Sequence, residues 1–394
     1  MKKKYIRYCK KCTIPDTRPD TPFDKNGVCA GCHYFDYRKK VDWDARKKKL
    51  IELLEKYKNK KGNYYDCVVA SSGGKDSTFQ VLKMREFGMK PLVVTVTTDM
   101  LSKFGRKNIE NIKNFGVDYV EYTPNPIVRK KINKIAIKTV GDISWTEHMA
   151  VVASAIRISI KMGIPLVCWG ENPQNENGGP LDKSDVNEKM EPKRMDASWH
   201  HEFGSTLGLR ASDLIGIDGI TELDVMPYEY PSDEEIVKAG TVGLFLGYYI
   251  PWDGHQNAMI AKKNGFTTYH KWVEGSIVDY EDLDNFQMRI HYYYKYLKYG
   301  FDRVSDWSSL AIRRGRMTRS EGITLSREVG GKFPKEYLGM KLKEVLSYID
   351  MTMDEFKKNC DKFTNKAIFQ LDDDGNLLRD NEGNIMKNNY DNID

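Results

Sequence analysis

Residues 68–79 read VVASSGGKDSTF, and this stretch decides how the surrounding chain folds. An apolar run rich in β-branched residues precedes two glycines, and a helical pattern follows them. Glycines between a strand and a helix let backbone N–H groups converge on an anion, and the positive end of the helix strengthens the attraction. The stretch therefore predicts a phosphate-binding loop in a strand–loop–helix unit.

The loop follows neither of the two common phosphate-binding patterns. A Walker loop needs Gly where Val69 stands and Ser or Thr where Asp76 stands, and the G-x-G-x-x-G pattern of dinucleotide-binding folds is absent. Ser72 to Ser77 instead spell S-G-G-x-D-S. The simpler alternative to a phosphate site is an ordinary glycine-rich turn.

Strand-like and helical patterns alternate on both sides of the loop. The strand-like stretches cover 64–71, 90–99, 117–124 and 164–172. This alternation predicts a doubly wound α/β fold, with a parallel sheet and helices on both faces. Ligands of such folds bind at the carboxyl ends of the strands.

The residues that end the second and fourth strands are therefore candidates for the same cleft. They are Asp99, Gly170, Glu171 and Asn172. For Asp99, a role at the N-terminus of the following helix is an equally good interpretation.

Composition divides the chain into regions. The predicted regions are a cysteine-bearing module at 1–40, a linker helix at 41–62, the sheet domain at 63–230, a mostly helical, aromatic-rich region at 231–365 and an acidic tail at 366–394. The polar stretch 173–230 is interpreted as an ordered insertion or as a lid over the substrate. The tail either forms a small hairpin at its D-G and E-G pairs or is mobile.

Four of the seven cysteines form two C-x-x-C pairs: Cys9, Cys12, Cys29 and Cys32. This spacing is typical of a zinc ribbon or a rubredoxin-like knuckle, and four thiolates fill a tetrahedral structural site. Iron or redox-active thiols are the alternatives. His33 is expected to be a bystander.

The net charge of +6 suits anionic small molecules and does not by itself imply nucleic acid. No apolar run approaches the roughly 20 residues that span a bilayer. The basic start MKKKYIRYCKKC lacks the apolar core of a signal peptide. We expect a cytoplasmic protein with no membrane and no nucleic-acid partner.

The S-G-G-x-D-S motif resembles the PP-loop of ATP pyrophosphatases, which have a HUP-like α/β fold. The resemblance implies that Ser71, Ser72, Gly73, Gly74, Lys75, Asp76 and Ser77 bind the pyrophosphate half of ATP. It also implies that AMP and pyrophosphate are released. Asp76 would orient the loop or hold Mg²⁺, and Lys75 would add positive charge.

Further blocks resemble the N-acetyl sugar amidotransferase family, which includes enzymes of pseudaminic acid synthesis. The blocks are YCKKCTIPDTRPDTPFDKNGVCAGCHYFD, SSGGKDST, WGEN, YYIPWDGHQN and KYGFDRVSDWSSLAIRRGRMTRSEGI. The resemblance implies conversion of a sugar acetamido group into an acetamidino group through an O-adenylated imidate. Such enzymes serve lipopolysaccharide or flagellin glycan biosynthesis.

The resemblance also suggests where the acetamido sugar substrate binds. In "IPWDGHQN", Trp252 offers a ring for stacking, Asp253 a carboxylate and His255 a group for proton transfer. An ordinary loop without such a role is the alternative. The arginines of "RRGRMTRSEGI" either bind an anionic group or form a solvated helix end beside a Thr318-x-x-Glu321 capping box.

Ammonia is expected to come from another protein. Residue 2 is Lys, and Cys67, Cys168 and Cys360 lack a G-x-C-x-G setting, so no glutaminase nucleophile is evident. The resemblance implies a separate glutaminase of the kind that pairs with a cyclase-like barrel in histidine synthesis, with or without such a barrel. The alternative function is tRNA thiolation, which would need Cys67 or Cys168 as a reactive thiol. Their apolar surroundings favour buried, inert sulfur instead.

Overall fold

A computed structural model of the chain describes residues 6–19, 21–59, 64–171 and 207–388. Its strands are Cys67–Ala70 (β1), Pro91–Val96 (β2), Asp118–Tyr122 (β3), Leu166–Trp169 (β4) and Val242–Phe245 (β5). They form one parallel sheet in the order β3-β2-β1-β4-β5. The four predicted strands and the predicted α/β class are confirmed.

Helices cover both faces of the sheet. The helices before β5 are Ala30–Arg38 (α1), Trp43–Glu55 (α2), Lys75–Glu86 (α3), Lys103–Lys113 (α4), Pro126–Thr139 (α5), Trp145–Met162 (α6), Glu222–Val225 (α7) and Asp233–Ala239 (α8). Cys67 and Val69 of β1 face a core shared with α2 and α3, whereas Val68 and Ala70 face a core shared with α6. Because both faces of β1 are buried, the strand is apolar throughout, as is typical of parallel sheets.

The fifth strand is not among the strands predicted from the sequence. Val242–Phe245 lies in a stretch that was interpreted as the start of a helical region, yet it pairs with β4 in the register Leu166↔Val242. A four-residue apolar run has no period that separates a buried strand from a buried helix turn. The sheet therefore extends past residue 230, into the region assigned to the helical part.

The rest of the chain is mostly helical, as predicted. Its helices are Leu246–Tyr249 (α9), Gly254–Lys263 (α10), Met288–Tyr299 (α11), Arg303–Arg313 (α12), Arg319–Glu328 (α13), Leu342–Tyr348 (α14) and Met353–Phe363 (α15). A two-stranded antiparallel pair joins Glu336–Tyr337 (β6) to Met340–Lys341 (β7). Tyr293 and Tyr294 of α11 are buried in the core of this region.

The described part of the tail is ordered against this core. Phe369 and Ile385 are buried in it, and isolated bridges join Leu371 to Leu377 and Arg379 to Ile385 around two turns. Earlier in the chain, residues 207–230 pack on α5 and α6 through Leu214 and other apolar side chains. The remainder of the predicted insertion and Asn172 lie outside the described residues. Within the described ranges, we find no helix whose length and apolar character would let it cross a bilayer.

Candidate active site

The predicted phosphate loop lies where the strand order of the sheet reverses. Its strand β1 stands between β2 and β4, so residues 71–74 open into the crevice at the carboxyl ends of β1 and β4. This crevice is where doubly wound sheets bind ligands. Helix α3 begins at Lys75, directly after the loop, and its positive end faces the same crevice.

The loop is held compactly by its own hydroxyl groups. The Ser72 N–H donates to Ser77 Oγ over 3.0 Å, and the Gly73 N–H donates to Ser71 Oγ over 3.2 Å. Gly73 has a φ of +82°, and a Cβ there would lie 2.9 Å from Ile109 Cγ1. Only glycine fits this position without strain, because the conformation is left-handed and a helix packs against it.

Lys75 and Asp76 form a polar cluster at the start of α3. Asp76 accepts from Lys75 Nζ over 2.7 Å and from Asn257 Nδ2 of α10 over 2.7 Å. The Lys75 ammonium also lies 5.4 Å from the Trp307 ring centroid and 6.0 Å from that of Tyr280. Burial opposes the charge on Lys75, but the Asp76 carboxylate outweighs burial and raises the pKa of the lysine.

A cavity of about 510 Å³ opens beside the loop. One wall is the loop itself, residues 71–77, together with Gly170 and Glu171 at the end of β4. A Cβ on Gly170 would lie 2.9 Å from the Trp252 ring, so glycine is needed for this close approach. The structure thus brings together every predicted loop residue and two of the three predicted residues after β4.

The facing wall comes from residues 280–284 and Arg303, which sequence analysis did not select. Glu281 accepts from Arg303 Nη2 over 2.7 Å and from the ring N–H of Trp307. Asp282 accepts from Tyr292 Oη over 2.5 Å. The only sequence signal for this wall was the acidic, aromatic-flanked stretch YEDLDN at 280–285.

Asp284 in this wall carries a carboxyl group that burial makes easier to protonate. Burial, followed by the charge of Asp282, raises the pKa of Asp284 to about 7. The folded-state pKa of Asp284 exceeds that of an unfolded aspartate, so the protonated side chain stabilises the fold. This contribution to the free energy of unfolding is fully present below about pH 4 and is lost as the pH rises through about 7.

We therefore expect Asp284→Asn to be more stable than the unmodified protein at pH 8, by about 1–4 kcal/mol, with a smaller difference at pH 4.5. Urea unfolding at several pH values measures this. The exposed Asp373→Asn is the matched control and should show no such pH dependence. A variant less stable than the unmodified protein at pH 8 would contradict the burial argument.

Asp99 lies at the expected edge of the sheet but in a different cluster. Its carboxylate accepts from Tyr348 Oη over 2.8 Å, Asn133 Nδ2 over 2.9 Å and Gln287 Nε2 over 3.3 Å. Its backbone N–H donates to Glu147 Oε1 over 2.8 Å. It is not among the described residues that line the loop cavity, because the chain after β2 turns toward α5 and α6.

Asp253 and His255 line a second cavity of about 520 Å³. Asp253 caps α10 and forms salt bridges with Arg314, over 3.3 Å, and with Arg316. His255 Nδ1 lies 3.2 Å from Tyr280 Oη, and Tyr280 lines both cavities. Burial lowers the pKa of His255, and the nearby Arg316 lowers it further.

Trp252 does not serve as the exposed stacking ring that sequence analysis expected. It is 2% exposed and packs edge-on against Phe79, with ring centroids 5.3 Å apart. The Trp252 ring is packed in the apolar environment between α3 and β4, where a sugar cannot contact it. The aromatic side chains that do line the second cavity are Trp272, Tyr280 and Trp307.

The four predicted metal ligands lie together. The Sγ atoms of Cys9 and Cys32 are 3.8 Å apart, those of Cys12 and Cys29 are 3.6 Å apart, and all four fall within 4.8 Å. A tetrahedral zinc ion with four Zn–S bonds of about 2.3 Å needs sulfurs about 3.8 Å apart. The Cys29 N–H also points to Cys9 Sγ over 3.3 Å. The donor set and its spacing therefore fit a zinc ion.

Arginines dock this cysteine module onto the C-terminal helices. Arg313 Nη2 lies 3.7 Å from Cys12 Sγ and 3.6 Å from Cys29 Sγ. Arg319 Nε donates to the carbonyls of Cys9, over 3.1 Å, and Cys12, over 3.3 Å. The predicted Thr318–Glu321 capping box at the start of α13 is confirmed. These arginines bind protein groups and do not form a solvated helix end.

The sulfurs that thiolation chemistry would need are inaccessible. Cys67 and Cys168 are both 0% exposed within the sheet. Contact with Cys168, together with burial, raises the pKa of the Cys67 thiol well above its usual range. A nucleophilic thiolate requires the opposite conditions, namely exposure and a lowered pKa.

A family match lies in the C-terminal part of the chain. Residues 264–380 match the family described as "LPS biosynthesis protein WbpG-like, C-terminal domain". An uncharacterized protein of Methanocaldococcus jannaschii is 30% identical over 114 residues, which are 27% of this chain and 40% of that protein. This chain therefore spans less than half of the curated relative that it matches.

Among solved structures, NMN synthetase from Francisella tularensis aligns with a TM-score of 0.27 and 11% identity, over 57% of this chain and 96% of that one. The matched family range contains residues 280–284 and Arg303. The wall that faces the phosphate loop thus belongs to a region similar to the C-terminal domain of WbpG-like lipopolysaccharide biosynthesis proteins.

Proposed function

We propose that this chain is an ATP-dependent, AMP-forming amidotransferase that converts an acetamido group of a sugar into an acetamidino group, in surface polysaccharide or flagellin glycan biosynthesis. One observation carries the proposal. The loop cavity has the S-G-G-K-D-S loop on one side and the wall from the WbpG-like region on the other. A motif suited to phosphate and a domain associated with lipopolysaccharide synthesis thus border the same space.

In this proposal the loop binds the pyrophosphate part of ATP. The start of α3 faces the anion, and Lys75 supplies positive charge. The N–H groups of residues 72–74 donate to serine hydroxyls of the loop and would exchange these partners for phosphate oxygens when ATP binds. Asp76 would hold Mg²⁺, because carboxylate oxygens are the ligands that this ion prefers. Asn257 keeps the Asp76 carboxylate in place.

The reaction then has two steps. The amide oxygen of the acetamido group attacks the α-phosphorus of ATP, the bond to the bridging oxygen breaks, and pyrophosphate leaves. Ammonia next adds to the imidate carbon, the bond to the AMP oxygen breaks, and the amidinium product remains. When ammonia attacks, a neutral imidazole nearby can accept the proton that it releases. The lowered pKa of His255 favours this neutral form of the side chain.

The second cavity is our choice for the sugar. It carries aromatic rings, the Asp253 carboxylate and several cations, which suit a sugar with hydroxyl and anionic groups. Tyr280 borders both cavities, so an acetamido group beside Tyr280 would face the phosphate loop.

We expect ammonium to support turnover by this chain alone and glutamine to fail. The physical reason is that Cys67, Cys168 and Cys360 are all buried, so none is placed as a glutaminase nucleophile. AMP release measured with ammonium chloride and with glutamine tests this. Activity with glutamine alone would contradict the need for a separate glutaminase, with or without a cyclase-like barrel.

The function itself is tested by ³¹P NMR of ATP and Mg²⁺ with the purified protein and ammonium. A panel of acetamido sugars, both free and nucleotide-linked, is added first, and bulk tRNA second. AMP and pyrophosphate formed only with one sugar class would support the proposal and identify the acceptor. Turnover only with tRNA would replace it with an RNA-modifying function, and ADP as the product would refute the assignment of the loop.

A further inference from the structure

A third cluster of reactive side chains lies outside both cavities described above. Asp142 is in the turn between α5 and α6, His148 is in the first part of α6, and His291 is in α11. No local sequence pattern indicates this cluster, because His148 and His291 are 143 positions apart in the chain.

The spacing of this cluster is compatible with a metal-binding triad. One ligand atom from each residue lies within 4.8 Å of the others. His291 Nδ1 is 2.9 Å from Asp142 Oδ1, and His148 Nδ1 is 3.3 Å from Asp142 Oδ2. Two ligands on a tetrahedral ion with bonds of about 2.0–2.1 Å are separated by about 3.3 Å.

His148 supplies a second, independent observation. Its Nδ1 is shielded from solvent and makes no hydrogen bond of acceptable geometry with any described residue, although Asp142 is close. Burying such an atom without a partner is unfavourable. An ion between Asp142 and the two histidines would accept the lone pair of this nitrogen and remove the cost.

The neighbouring cationic side chains would repel a bound metal ion only weakly, since each already contacts an acceptor group of the protein. Lys298 Nζ donates to the carbonyls of Val140, over 2.6 Å, and Gly141, over 2.9 Å. Lys295 and Arg18 both form salt bridges with Asp306. A cavity of about 260 Å³ borders Asp142 and His291, which leaves space for a further ligand such as water.

We propose that Asp142, His148 and His291 bind a divalent transition-metal ion of the zinc class, in a centre separate from the four cysteines. Two imidazoles and one carboxylate suit Zn²⁺ and Co²⁺ better than Mg²⁺ or Ca²⁺, which prefer oxygen ligands. The ion would connect α6 of the sheet domain to α11 of the WbpG-like region, and so fix the two parts relative to each other.

Metal content per chain tests the proposal. The full chain is produced with Co²⁺ as the added metal, and bound metal is measured after gel filtration. We expect two Co²⁺ per chain in the unmodified protein and one in His148→Gln and in His291→Gln. The variants should retain the thiolate-to-cobalt charge-transfer absorption of the cysteine centre, which shows that they are folded.

Two further variants test whether the second Co²⁺ is bound by this cluster or elsewhere on the protein. His270→Gln removes an exposed histidine outside the cluster and should keep two Co²⁺. Asp142→Asn should also lose one, because an amide is a poor ligand for zinc-class ions. One Co²⁺ in the unmodified protein, or two in both cluster variants, would overturn the proposal and leave a His–Asp–His hydrogen-bonded cluster.

Discussion

Asp76→Asn is expected to lower the rate of AMP formation by about 10²–10³-fold, the effect typical of losing one preorganised charged group at a reacting phosphate. The Asp76 carboxylate lies at the start of α3, is oriented by Lys75 and Asn257, and borders the loop cavity. An amide of the same shape keeps the packing but removes the charge that would hold Mg²⁺.

The stability of this variant must be measured beside its activity. Lys75 loses its carboxylate partner, so we expect a loss of about 1–3 kcal/mol in the free energy of unfolding, which leaves a folded protein. Asp118→Asn, on the surface strand β3, is the matched control and should keep full activity. If Asp76→Asn retained turnover within threefold of the unmodified protein while folded, the role of the loop would be wrong.

Cys12→Ser is expected to release the metal of the cysteine centre and to detach residues 6–38 from the C-terminal helices. Metal binding contributes about 10–16 kcal/mol in small zinc modules, so the module cannot retain its fold without it. The loss also leaves the half-buried Arg313 guanidinium beside fewer thiolates. We expect one metal ion fewer per chain and rapid proteolysis within residues 6–38.

Cys360→Ala is the control for this experiment. Cys360 is buried in the C-terminal core, far from the other sulfurs in sequence, and its replacement should cost about 1 kcal/mol without changing metal content. Metal content that is unchanged in Cys12→Ser would show that the four sulfurs do not form the centre. Measuring metal and proteolysis together distinguishes loss of the ion from general unfolding.

The local features of this protein could be predicted from the sequence alone. Residues 72–77 form a loop whose strand, glycines and helix are consecutive, so its position at the edge of the sheet follows from neighbouring residues. The two C-x-x-C pairs are close in the chain, and their spacing alone predicts that four sulfurs meet. The buried strands β1, β2 and β4 were recognisable because each is an apolar run between helical patterns.

Only the tertiary structure decided which distant residues complete the site. Asn257 reaches Asp76, Glu281 and Arg303 form the facing wall, and Asp99 turns away from it, because the packing of helices over the sheet sets these contacts. The Asp76–Asn257 contact joins residues 181 positions apart and the Asp99–Tyr348 contact joins residues 249 positions apart, and no local period encodes them. Sequence therefore determined the loop and the cluster of four cysteines, whereas long-range packing determined the cavity beside the loop.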